Sequence, residues 1–76
     1  SGGIGENAPA IRERICNELG YLNIHLNEEK NNKNQWQISN EKSNVKVYVI
    51  PTNEELVIAT MTGEIYEKSI KDKNEK

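Results

Sequence analysis

One cysteine and one histidine, Cys16 and His25, are all this chain offers for stapling itself together. A single thiol cannot form an intrachain disulfide, and one cysteine with one histidine cannot make up a four-ligand zinc site. A chain of 76 residues buries only about 60–65% of the surface that its unfolded form exposes. Domains of this size make up the deficit with disulfides, a metal or a partner. With 34% apolar residues and no staple, three expectations remain: a marginal free domain, one member of an assembly, or a segment of something larger. The arithmetic leans toward the last two. Charge excludes more. Ten Lys and Arg against twelve Asp and Glu leave a net charge of −2, so there is no basic face for binding nucleic acid by counterion release. No run approaches the roughly 20 apolar residues of a membrane span. Residues 1–7 lack the basic region and apolar core of a signal peptide. A reduced, cytoplasmic setting is expected, in keeping with the lone cysteine.

Residues 1–7 read SGGIGEN, with three glycines in the first five positions. Glycines let a backbone take positive φ and approach a ligand closely, so a nucleotide loop is one reading and a flexible terminus the other. The run lacks the lysine and spacing of a Walker A loop. A helix is expected over 8–19, with Asn7 as N-cap and Pro9 in the first turn. Ile11, Ile15 and Leu19 share one face, widened by Cys16 and Leu22, and Gly20 stands where a left-handed cap is expected. Residues 21–50 read as strands and loops. Leu22, Ile24 and Leu26 alternate with Tyr21, Asn23 and His25, as in a half-buried strand. Residues 27–35 form a polar loop, 36–39 a short strand and 41–44 a turn. Residues 45–50, VKVYVI, are the strongest strand signal, and their apolar end implies burial on both faces.

Pro51 stops that strand. Thr52 and Glu55 then have the spacing of a capping box, which predicts a C-terminal helix over 52–70. The competing reading is a hairpin, 56–61 against 65–70 across Thr62-Gly63-Glu64. Residues 71–76 form a charged tail.

No catalytic dyad follows from spacing. His25 reads as a solvated residue and Cys16 as buried filler. Trp36 reads as an interface or core anchor, and Arg12 and Arg14 as lying on a helix face with no partner. Two places stand out. One is the glycine run with Glu6 and Asn7. The other is Glu54-Glu55, carboxylates following a buried strand, where ligands gather in α/β folds. Helix capping is the plain alternative for Glu55, and less so for Glu54, which a capping box does not use.

These two motifs carry a resemblance. The run 1–7 with Arg12-Glu13-Arg14 beyond it, and VYVIPTNEELVIA over 47–59, resemble the C-terminal part of the acetate and propionate kinases. The segment between them, with LGYLNI over 19–24 and NEEKN over 27–31, is similar too. The likeness covers residues 1–62. It implies an α/β fold, helix–strands–helix, forming the C-terminal portion of a ribonuclease-H-like ATPase domain of the sugar kinase, Hsp70 and actin superfamily. It implies phosphate transfer between ATP and acetate, giving ADP and acetyl phosphate, with Mg²⁺ required. It further implies a homodimer of the full enzyme and a remainder of the kinase chain as this segment's partner. By the same resemblance Gly3, Ile4, Gly5, Glu6 and Asn7 lie against the nucleotide, and Glu54 is associated with the magnesium ion. The likeness also favours the helix after Pro51. The chain departs from the family at Thr60-Met61-Thr62-Gly63, where relatives read Arg-Asp-Thr. The acetate-binding and phosphoryl-stabilising residues of the family lie in segments outside these 76 residues, so the chain alone is expected to be inactive. The alternative is a stand-alone nucleotide-binding or protein-interaction module without catalysis.

Overall fold

The computed structural model describes the backbone over residues 2–70 and side chains from Ala8 onward; the charged tail at 71–76 lies outside the described residues. Helix α1 spans Gly2–Glu18. The apolar stripe expected of it is buried: Ile11, Ile15, Cys16 and Leu19 are each at most 9% exposed. Its start differs from the expectation. The glycine run is not a loop and Asn7 is not a cap, because the helix continues back through Pro9 to Gly2. Once nucleated on the buried stripe, a helix gains one hydrogen bond for each residue added. Pro9, which has no N–H, leaves only the Gly5 carbonyl without its usual donor.

At the other end Gly20 opens a single 3₁₀ turn, Gly20–Leu22, and the left-handed residue is Asn23, at φ 59°. This turn replaces the expected strand over 21–26. The alternation is still used: Leu22, Ile24 and Leu26 pack against the core, but only Leu26 reaches a neighbouring segment, bridging to Ser39. The polar stretch 27–35 is not all loop. It holds helix α2, Glu28–Asn32, capped by the Asn27 side chain, which accepts from the Lys30 amide at 2.9 Å. Glu28 and Glu29 occupy its first turn, where negative charge meets the positive end of the helix dipole.

Three antiparallel strands follow, β1 (Lys46–Ile50), β2 (Glu55–Ala59) and β3 (Ile65–Ser69), in the order β1-β2-β3. Residues 36–39 run along the free edge of β1. There the Ile38 amide donates to the Val47 carbonyl at 2.9 Å, and the Val49 amide to the Trp36 carbonyl at 2.8 Å. Strand β1 is not buried on both faces as expected: Val47 and Val49 are buried, while Lys46 is exposed and Tyr48 and Ile50 are half-buried. The inner face carries Val47 opposite Ile58 and Val49 opposite Leu56. It joins Ile38, Val45 and Ile70, and α1 packs against them. Each fully buried side chain of this size contributes about 1.5–3 kcal/mol.

The C-terminal helix expected over 52–70 does not form. The hairpin takes its place, and no capping box is present, since Glu55 pairs in β2 with Ile50 on one side and Ser69 on the other. Periodicity gives the reason. Leu56 and Ile58 are both at 0% exposure. Two residues apart is about 200° on a helix, which would send them to opposite sides; on a strand they share a face. The connection is closed by Gly63 at φ +95°, whose amide donates to the Thr60 carbonyl at 3.1 Å. The chain is therefore an α/β unit, α1 on one face of an antiparallel sheet with α2 beside it, rather than helix–strands–helix.

Candidate functional site

Arg12 was expected to lack a partner. Instead it is 2% exposed and ties the two helices together. Its Nε donates to Asn31 Oδ1 at 2.6 Å, and its Nη2 donates to the Asn31 carbonyl at 2.8 Å and to Asn34 Oδ1 at 2.6 Å. Asn31, also buried, returns the contact through Nδ2, which donates to the Pro9 carbonyl at 2.9 Å. Asn34 has φ +57°, the left-handed position at the end of α2. The Gln35 amide reaches the Lys30 carbonyl at 3.0 Å and the Asn34 amide reaches the Asn31 carbonyl at 3.1 Å, which is the Schellman arrangement. Asparagine is the residue after glycine that best tolerates that conformation, and here its side chain becomes an acceptor for the guanidinium.

Glu54 lies on the connection between β1 and β2. It is the last residue of the connection, at φ +53°. Its backbone is held on both sides: the amide donates to the Pro51 carbonyl at 3.3 Å, and the carbonyl accepts from the Ile70 amide at 2.9 Å. A non-glycine residue held in this conformation is uncommon and costs energy.

The two meet at a cavity of about 190 Å³, lined by Ala8, Arg12, Asn34, Val49, Pro51, Glu54 and Ile70. An arginine and a glutamate thus both line a small space whose other walls are mostly apolar. They make no ion pair, since the ion pair formed among the described residues is Lys33 with Glu29, on the surface. Burial holds the Arg12 guanidinium below its ordinary pKa, because removal from water disfavours the charged form. One turn along, burial pushes the Cys16 thiol up to about 11, and the Arg12 charge partly offsets this. A wider groove of about 500 Å³ beside Pro9 and Asn31 is rimmed by Glu13 and Glu28, which makes it a poor place for a phosphate.

Of the residues singled out from sequence, Glu54 lines the cavity directly. Gly3, Ile4, Gly5, Glu6 and Asn7 occupy the opening turns of α1, immediately before Ala8, which is a wall of the same cavity. His25 is exposed, as expected. Trp36 is 72% exposed and not a core anchor; it stacks on Tyr48 with ring centroids 5.1 Å apart. For magnesium, no group of three or more His, Cys, Asp or Glu side chains converges among the described residues. Mg²⁺ needs no such cage when phosphate oxygens and water complete its octahedron, so a single carboxylate at Glu54 fits a nucleotide-held ion. Arg12 and Asn34 were missed because their pairing spans two helices. A left-handed asparagine closing a short helix is the local signal that could have found Asn34.

These features define a small α/β unit with a cavity lined by both an arginine and a glutamate. Residues 1–60 match the Acetokinase family, and the chain belongs to that family. It is 54% identical over 72 residues to an acetate kinase from Thermosipho africanus, covering 91% of this chain and 18% of the relative. It is 55% identical over 69 residues to one from Clostridium novyi, covering 88% and 17%. With one from Rickettsia prowazekii it shares 53% identity over 57 residues, covering 75% and 15%. The chain thus spans less than a fifth of the length of these curated relatives. No solved structure matches it.

Proposed function

We propose that this chain acts as part of an acetate kinase, transferring phosphate between ATP and acetate to give ADP and acetyl phosphate, and that it contributes nucleotide and magnesium contacts. The observation that carries the reading is identity above half with acetate kinases over most of the chain. In this reading the unit belongs to a ribonuclease-H-like domain of the sugar kinase, Hsp70 and actin superfamily. The remainder of the kinase chain supplies the other cleft wall, and the full enzyme is a homodimer in the cytoplasm.

The opening turns of α1 support the nucleotide role in a different way from a glycine loop. The first four N–H groups of a helix have no intrahelical acceptor, and with the helix dipole they favour an anion. In α1 those positions fall in the glycine run, where little side-chain bulk stands between backbone and ligand. Gly3, Ile4, Gly5, Glu6 and Asn7 would lie against the nucleotide, and Glu54 would face the cation. Mg²⁺, when bound, neutralises charge developing on the transferred phosphoryl group.

Titration of Mg·ATP into the chain, followed by backbone amide shifts, tests the reading. Saturable shifts at residues 3–7 and at Glu54 are expected. A folded chain showing no shift at either place would overturn it.

A further inference from the structure

The guanidinium of Arg12 is not used up by its clamp. Five N–H donors are available to an arginine, and the three hydrogen bonds to Asn31 and Asn34 engage Nε and Nη2. Nη1 makes none of these bonds. No buried side-chain nitrogen or oxygen among the described residues lacks a partner, so Nη1 keeps some access to solvent. Arg12 is 2% exposed and is among the residues that line the cavity. All three acceptors are neutral amide oxygens, so none of these bonds gives the buried charge a counter-charge.

We propose that Arg12 is a phosphate-binding residue, its Nη1 donating to a phosphate oxygen inside the cavity it shares with Glu54. The idea rests on the kinase reading above and adds a contact to it. The cavity volume, about 190 Å³, accommodates a phosphoryl group and a hydrated cation but not a whole nucleoside. Its apolar walls, Ala8, Val49, Pro51 and Ile70, lower the local dielectric and strengthen a charge-assisted hydrogen bond. The clamp fixes the guanidinium before the ligand arrives, so little side-chain freedom is lost on binding. Arg12 and Glu54 line one cavity and form no ion pair with each other, an arrangement that suits a ligand carrying both signs. A phosphate oxygen meets Arg12 and the accompanying cation meets Glu54. The phosphate could be free in solution or the terminal group of a nucleotide.

The experiment is a titration of the chain with inorganic phosphate, with and without Mg²⁺, and then with Mg·ADP, followed by the Arg12 Nε–H resonance and the backbone amides. Saturable shifts are expected at Arg12, Ala8, Asn34 and Ile70. Binding is expected to tighten with Mg²⁺ in the native chain but not in Glu54→Gln. Arg12→Lys, which keeps a charge but loses the fork, is expected to bind at least about tenfold more weakly. Ala8→Leu fills the cavity from α1 without touching the clamp and is expected to abolish binding, which covers the case in which Arg12→Lys fails to fold. Shifts centred on Lys30 and Lys42, or binding unchanged in Ala8→Leu, would overturn the proposal. So would the lack of any saturable shift in a folded chain. If Mg·ADP moves residues 3–7 while Arg12 stays silent, the kinase reading survives and this proposal falls. If phosphate binds at Arg12 and Mg·ADP moves nothing, the phosphate site stands and the kinase reading falls.

Discussion

Arg12 and Cys16 stand one turn apart on the buried face of α1, and burial acts on them with opposite sign. It lowers the pKa of the guanidinium and raises that of the thiol, in each case favouring the neutral form. The thiol moves from 9.0 to about 11. In the window between those values the unfolded chain has lost the Cys16 proton and the folded chain still holds it. Stability is then greater when the unfolded chain also keeps the proton, below pH 9, and falls as pH rises toward 11. At about 1.4 kcal/mol per unit, the loss from this group is at most about 3 kcal/mol. Urea unfolding of the native chain and of Cys16→Ala across that window separates this effect from the lysines and tyrosines that titrate nearby. The native chain is expected to lose stability more steeply than the variant. Parallel curves would show that the thiol is not desolvated.

At the scale of elements, what the sequence revealed depended on how far each signal reaches. The face of Ile11, Ile15 and Leu19 and the strand at 45–50 are written in local periodicity, and both formed. The choice after Pro51 was decided elsewhere. The capping signal of Thr52 and Glu55 is local, whereas the pairing of Leu56 with Val49 and of Ile58 with Val47 is not, and tertiary pairing outweighs propensity. The candidate site divides the same way. Glu54 was legible because it follows a strand and a proline. Arg12 was not, because its acceptors sit 19 and 22 residues on, in a stretch whose asparagines read as loop. The loop from 51 to 54 also carries a cost that the sequence conceals. Glu54 at φ +53° costs about 1–2 kcal/mol relative to a right-handed conformation, which glycine would avoid at an entropic loss of about 0.5–1 kcal/mol. Glu54→Gly is therefore expected to stabilise the chain by up to about 1 kcal/mol in urea unfolding, while removing the carboxylate from the cavity. A loss of stability would mean that the Glu54 side chain, rather than function, holds the residue there.

At the scale of the whole molecule, the unit has one finished face and one unfinished face. Helix α1 covers the inner side of the sheet, while the outer side leaves Ile65 62% exposed, with Trp36 at 72% beside Tyr48. The cavity is similarly partial. It offers one guanidinium and one carboxylate, and phosphoryl transfer depends on several groups that position both reactants and stabilise charge on the transferred phosphate. Positioning alone is worth about 7–11 kcal/mol of a barrier when both reactants are held in line. A cavity of about 190 Å³ cannot hold a nucleotide and its acceptor together. The chain spans less than a fifth of its relatives, so the other groups would come from the remaining polypeptide. The 76 residues alone, supplied with ATP, Mg²⁺ and acetate, are accordingly expected to yield acetyl phosphate no faster than a protein-free control, as measured by trapping the product with hydroxylamine. Turnover well above that control would show that these residues suffice for catalysis, and the proposed division of labour with further polypeptide would have to be abandoned.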